Sequence, residues 1–182
     1  ILGNEDLFIG IVNPTKAMEY FYRNGDGDEL LFVHHGTGKI ETMFGVITYR
    51  PGDYIIIPVG TIYRVLPDPG QQKFLVVETT NWITTPKRYR NEHGQLLEHS
   101  PFCERDIRGP EKLLTYDERG RFEVRTKSRG YLHAHILAHH PFDVVGWDGY
   151  LYPWVFNIED FEPIVGRIHM PLEFDSYIHQ FS

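Results

Sequence analysis

Gly52-Asp53-Tyr54-Ile55-Ile56-Ile57-Pro58-Val59-Gly60-Thr61-Ile62-Tyr63 is the stretch that decides the fold. A β-branched and aromatic run, Tyr54–Ile57, is followed by a proline and a glycine, and a second such run begins at Tyr63. The same grammar extends outward. Leu7–Val12, Glu29–His34, Lys39–Phe44, Val46–Tyr49, Tyr63–Leu66 and Lys73–Thr79 are short runs rich in Val, Ile, Phe and Tyr. Between them sit Asn24-Gly25-Asp26-Gly27-Asp28, Gly36-Thr37-Gly38, Arg50-Pro51-Gly52-Asp53 and Pro67-Asp68-Pro69-Gly70, which supply the φ > 0 tolerance or preset φ that tight turns require. Strands at this spacing, with no helical period between them, predict an antiparallel sandwich or barrel.

The quoted stretch matches the second motif of the cupin family, G-x5-P-x-G-x2-H, at every fixed position but the last, where Tyr63 replaces the histidine. Glu29 lies seven residues before Gly36, which fits the E-x6-G end of the first cupin motif. The H-x-H that should precede the glutamate falls on Tyr22 or Arg23 and on Asn24 or Gly25. The resemblance implies a mainly β fold, a cupin-type double-stranded β-helix or jelly roll, with additional strands and ordered loops. Of four expected ligands only Glu29 survives. Imidazole and carboxylate hold a divalent metal through about three converging protein donors, so this barrel is expected to bind none.

The 182 residues suffice to bury a sizeable core, and 41% hydrophobic with 24% charged residues is the balance of a globular protein. A formal net charge of −7 argues against nucleic acid or anionic membrane as partner. The densest basic cluster, Lys87-Arg88-Tyr89-Arg90, reads as a solvated loop. No apolar run approaches the ~18 residues that a membrane span needs. Cys103 is the one cysteine, so no intrachain disulfide forms and a reducing cytoplasm is the expected compartment. With Glu104 beside it, a structural thiol is the better reading than a nucleophile. The chain opens at Ile1-Leu2-Gly3 and its first methionine is Met18, which suggests a stretch of a longer product.

Residues 81–130 are broken by Pro86, Gly94, Pro101, Gly109, Pro110 and Gly120, and read as ordered loop with one short strand, Arg121–Thr126. Residues 131–156 return to strand character and carry Trp147, Tyr150, Tyr152, Trp154 and Phe156. Asn157 is placed to cap one helical turn.

Ten histidines raise the question of a metal site. In Tyr131–His140 the period is two: Leu132, Ala134, Ile136 and Ala138 share one face, and His133, His135 and His139 the other. An H-x-H on a strand can present two imidazoles to zinc or iron. No carboxylate follows at cupin spacing, so a polar or interface-facing strand is preferred over a His133/His135 metalloenzyme. His34-His35 read as a turn, and His93 and His99 carry no recognisable partner.

Longer strings are more specific. They are Tyr20-Phe21-Tyr22-Arg23-Asn24, Gly27–Val33, Pro86-Lys87-Arg88-Tyr89, Leu97–Pro110, His139-His140-Pro141-Phe142-Asp143-Val144-Val145-Gly146-Trp147-Asp148-Gly149 and Leu151-Tyr152-Pro153-Trp154. Through them the chain resembles the bacterial branch of the homogentisate 1,2-dioxygenase family, from about residue 1 to about residue 169. That family's members are two-cupin, non-haem iron enzymes that open an aromatic ring with O2 in tyrosine and phenylalanine catabolism. The resemblance implies an amino-terminal cupin at residues 1–80 with degenerate metal ligands. It implies a central loop-rich and β segment at 81–182 packing on that barrel, and an iron cupin outside this chain. Fe(II) ligands would then lie elsewhere, and the partners would be a small aromatic acid, O2 and further copies in a trimer or hexamer. His179, in Ile178-His179-Gln180-Phe181, is the counterpart of the family's acid/base histidine. His169 lies near the end of the matching region. Two alternatives are a metal-free cupin that binds a small ligand and a module that serves assembly alone.

Overall fold

A computed structural model describes residues 2–144 and 149–162. Thirteen strands run in chain order: β1 (Leu2–Gly3), β2 (Leu7–Val12), β3 (Phe21–Asn24), β4 (Asp28–His35), β5 (Gly38–Thr42), β6 (Gly45–Tyr49), β7 (Asp53–Ile57), β8 (Ile62–Pro67), β9 (Lys73–Thr79), β10 (Ile107–Arg108), β11 (Arg119–Ser128), β12 (Tyr131–His139) and β13 (Trp154–Asn157). Three single 3-10 turns, Lys87–Tyr89, Glu104–Asp106 and Ile158–Asp160, are the helical content of the described residues. Among the described residues no helix is long and apolar enough to cross a membrane.

Seven strands form one sheet, in the order β1-β2-β9-β4-β7-β13-β10, and six form the other, β12-β11-β3-β8-β5-β6. Among the described residues every pairing is antiparallel except β11 with β3. This is the mainly β double-sheet roll that the spacing and the motif predicted. Four strands from beyond residue 80 complete it: β10 and β13 extend the first sheet past β7, and β11 and β12 extend the second past β3.

The core lies between the sheets. Leu31 and Val33 of β4, Ile55 and Ile57 of β7, Phe74 of β9 and Val155 of β13 meet Ile40, Ile47, Tyr49, Tyr63 and Val65 of the opposite sheet. Alternation along each strand explains the choice, since residues i and i+2 share a face. Two satellite clusters cover outer faces. Tyr89 and Phe102 pack on Phe156 of the first sheet. Phe142 packs on Phe21 and Val124 of the second.

Two motif glycines are there for backbone reasons. Gly52 (φ +87°) and Gly60 (φ +82°) occupy the left-handed region, and a Cβ on Gly52 would also crowd Asn157 Oδ1 at 3.1 Å. The turn at Gly60 is tied to β3, its N–H donating to Asn24 O at 2.7 Å. The Val59 N–H donates to Asp28 Oδ1 at 2.8 Å. The segment Pro58–Tyr63 is thereby fixed against the strands that carry the first motif.

Asn157 caps the last 3-10 turn, accepting the Glu159 N–H at 3.0 Å. His34 and His35 belong to the end of β4 rather than to a turn, with ring centroids 4.3 Å apart, and the turn begins at Gly36 (φ +96°).

Candidate functional site

At one end of the barrel interior the apolar core gives way to polar side chains. Glu29 points inward by the same alternation that points Leu31 and Val33 inward. Tyr63, which stands where the motif has histidine, donates from Oη to Glu29 Oε2 at 2.9 Å. Both side chains are buried, 5% and 6% exposed. Tyr22 is the Cα partner of Tyr63 and lies edge-on to it with centroids 5.5 Å apart. Asn24, two residues on, is 3% exposed; its Oδ1 accepts the Asp26 N–H, and its buried Nδ2 has no aligned hydrogen-bond acceptor among the described residues.

This geometry resolves the two sequence registers for the missing H-x-H. Tyr22 and Asn24 face Glu29 and Tyr63, whereas Arg23 turns away and donates to Thr126 Oγ1 at 3.2 Å. The neighbouring strands add one ion pair. Glu78 of β9, the Cα partner of Glu29, is bonded to the Lys127 ammonium of β11.

Electrostatics follow from burial. Removal from water pushes the Glu29 carboxyl up to about 7, against the opposing help of the Tyr63 hydroxyl and the Asn24 side chain; Glu78 raises it further and Lys127 lowers it. The Tyr63 phenol is pushed well above its ordinary value, by burial first and by the Glu29 charge second. Tyr22 is raised for the same two reasons.

A metal at this vertex would need donors that deprotonate and converge. The vertex offers two phenols held protonated, an amide, and one carboxylate already engaged by a hydroxyl. These residues do not fit an iron ion. Among the described residues no group of three or more His, Cys, Asp or Glu side chains is gathered to hold one.

The other histidines are dispersed. His133, His135 and His139 are exposed on β12, the last strand of its sheet. His140 is buried at 3% exposure inside the satellite cluster, stacked on Tyr116 at 4.0 Å and edge-on to Phe21 at 5.1 Å. Its Nδ1 accepts the Phe142 N–H at 3.1 Å, and burial lowers its pKa. His169 and His179 lie outside the described residues, as does 145–148 with Trp147.

Cys103 is half-buried, its N–H donating to Asp106 Oδ2 at 2.8 Å at the start of a 3-10 turn. It borders two surface clefts of about 360 and 260 Å³, and neither is lined by a residue of the Glu29 group.

Sequence spacing found Glu29 and Tyr63. It missed Glu78 and Lys127, which nothing local marks: only the register of β4 on β9 brings Glu78 beside Glu29.

Residues 4–158 match the family model described as homogentisate 1,2-dioxygenase N-terminal. The chain belongs to this family. It is 40% identical over 172 residues to a Saccharolobus solfataricus protein named "Putative dioxygenase", covering 94% of this chain and 44% of that one. It is 32% identical over 146 residues to the homogentisate 1,2-dioxygenase of Emericella nidulans, 79% of this chain and 31% of the relative. For the Nitrobacter hamburgensis homogentisate 1,2-dioxygenase the identity is 29% over 157 residues, 86% and 34%. The chain thus spans only 31–44% of the length of these relatives. A cupin 2 conserved barrel domain protein from Leptotrichia buccalis overlays 86% of this chain and 80% of its own, at TM-score 0.40 and 14% identity. The fold itself rests on the two hydrogen-bonded sheets.

Proposed function

We propose that this chain is the non-metallated amino-terminal barrel and central segment of an iron-dependent dioxygenase that opens the ring of homogentisate with O2, in tyrosine and phenylalanine breakdown in the cytoplasm. The observation that carries the reading is the Tyr63–Glu29 hydrogen bond at the vertex where a metal-binding cupin keeps its ligands. The vertex suits no iron and no other donor cluster gathers among the described residues, which supports placing the Fe(II) ligands in another part of the enzyme. Within this division residues 1–80 supply most of the barrel and residues 81–182 brace it. The central segment's aromatics and the Asp143–Gly149 stretch shape the substrate pocket or a subunit contact in a trimer or hexamer, and His179 moves a proton at the substrate hydroxyl.

Homogentisate ring cleavage, followed with added Fe(II), tests the proposal. The longer protein turns over, the 182-residue chain alone does not, and His179→Gln in the longer protein lowers turnover. Cleavage by the 182-residue chain alone would refute the division. If the longer protein leaves homogentisate intact, the second reading stands instead, a metal-free cupin that binds a small ligand or serves assembly. The buried pairing at Tyr63 is compatible with that reading as well.

A further inference from the structure

Four strands end the two sheets, and three of them leave little edge to pair. β1 and β10 are two residues each. β6 is closed by Lys112, whose carbonyl accepts the Val46 N–H at 3.0 Å. The fourth, β12, is nine residues long and pairs on one side with β11; no described residue pairs with its other side. Native proteins blunt such edges with lysine, proline, a bulge or brevity, because an open row of N–H and C=O groups templates another strand. Tyr131-Leu132-His133-Ala134-His135-Ile136-Leu137-Ala138-His139 carries no Lys, Arg, Asp, Glu or Pro. Three of its large side chains are nonetheless open to water: Tyr131 is 72% exposed, Leu132 59% and Ile136 47%.

We propose that β12 pairs antiparallel with β12 of a second copy of this chain, about a two-fold axis at His135, joining two six-stranded sheets into one. Two properties of the strand select a second copy as the occupant. The first is self-complementary size. About His135, Leu132 faces the partner's Ala138 and Ile136 faces the partner's Ala134, so every large apolar group on that face meets a small one. On its own sheet this row has no apolar neighbour, since Leu132, Ala134 and Ile136 are the Cα partners of Lys127, Arg125 and Glu123. Cross-strand apolar pairs are what stabilise a sheet seam. The second is charge. The chain carries a formal −7, so two copies repel over most of their surface. This strand has no formal charge with its histidines neutral, so pairing it with itself brings no like charges into register. A two-fold perpendicular to the sheet keeps faces matched, and the register about His135 is the one that pairs all nine residues.

Sedimentation velocity on the protein, with hydrogen exchange at the β12 amides, tests the proposal. The expected result is a two-fold assembly, alone or within a hexamer, with protected β12 amides. Ala134→Lys and Ile136→Glu, both at exposed positions, each raise the dissociation constant on the order of tenfold or more, by burying an unpaired charge at the seam. An equimolar mixture of the two variants re-forms dimer, because position 134 of one chain faces position 136 of the other. His135→Cys in a Cys103→Ser background oxidises to a covalent dimer, the ~4.5–5.5 Å Cα spacing of opposed strand residues suiting a disulfide. A monomer, an odd-numbered assembly, or a dimer indifferent to both charges overturns the proposal. A monomer with protected β12 amides also overturns it, and assigns the edge to another segment of the same polypeptide.

Discussion

The Tyr63 hydroxyl on β8 and the Glu29 carboxylate on β4 join the two sheets of the barrel across 2.9 Å, beside a core of aliphatic and aromatic groups. Metal-binding cupins use the same two motif positions to hold a cation. Here a neutral donor answers the carboxylate, and the lysine that balances the second carboxylate, Glu78, comes from β11.

Removing the donor leaves a buried carboxylate with less support. Tyr63→Phe is expected to lower stability by about 1–3 kcal/mol, the cost of an unsatisfied buried acceptor. In Glu29→Gln the same replacement costs less, because an amide can drop the bond more cheaply than a charge. Urea unfolding of the two single variants and the double variant measures the coupling; additive effects would show that the pair is not a unit.

The raised carboxyl makes stability depend on pH. With a folded pKa of about 7 against an ordinary 4.5, the folded state binds the extra proton. The contribution of Glu29 is full below 4.5 and is lost as pH rises through about 7. Glu29→Gln is therefore expected to be relatively more stable than the parent at pH 8 than at pH 4.5. Unfolding midpoints of both proteins across that range check the difference.

His140 has the opposite sign. Its folded pKa is lowered from 6.5 by burial, so its contribution is full above 6.5 and is lost as pH falls below it. Replacing it with Asn sacrifices the stacking on Tyr116 at every pH. It should also flatten the acid limb below 6.5, which thermal unfolding at several pH values would reveal.

Asp53 ties the central segment to the barrel motif. It is fully buried and accepts from Asn157 Nδ2 at 2.7 Å and from the Arg50 N–H at 2.9 Å. Arg108 Nη2 stands 2.6 Å from Oδ2, the oxygen that also takes the Arg50 N–H, as an ion pair without hydrogen-bond alignment. Asp53→Ala is expected to destabilise by about 2–3 kcal/mol, the partial exposure of Arg108 softening the ~3–5 kcal/mol of a fully buried pair. It should also loosen β10 and β13, read as faster amide exchange at 107–108 and 154–157.

The strands that local sequence announces are those with strong period and marked turns. Leu7–Val12 and Lys73–Thr79 coincide with β2 and β9, and the five runs between them match β4 to β8 within a few residues. Phe21–Asn24 is not legible as a strand, because both its partners are distant in sequence: β8 about forty residues on and, in parallel, β11 about a hundred. Arg121–Thr126 extends to Arg119–Ser128 because its long partner β12 carries the ladder further. β10, at two residues, has no local signal at all and exists through Val155 and Phe156. The site divides in the same way. Glu29 and Tyr63 follow from motif spacing, whereas Glu78 and Lys127 come from register between strands far apart in sequence.

Calorimetric titration of the folded chain with Zn(II) or Fe(II) under argon tests the vertex most directly, with Glu29→Gln as the control and circular dichroism to establish folding. The account predicts no stoichiometric binding at micromolar metal, and no difference between the two proteins. One equivalent bound tightly by the parent and lost in Glu29→Gln would contradict it.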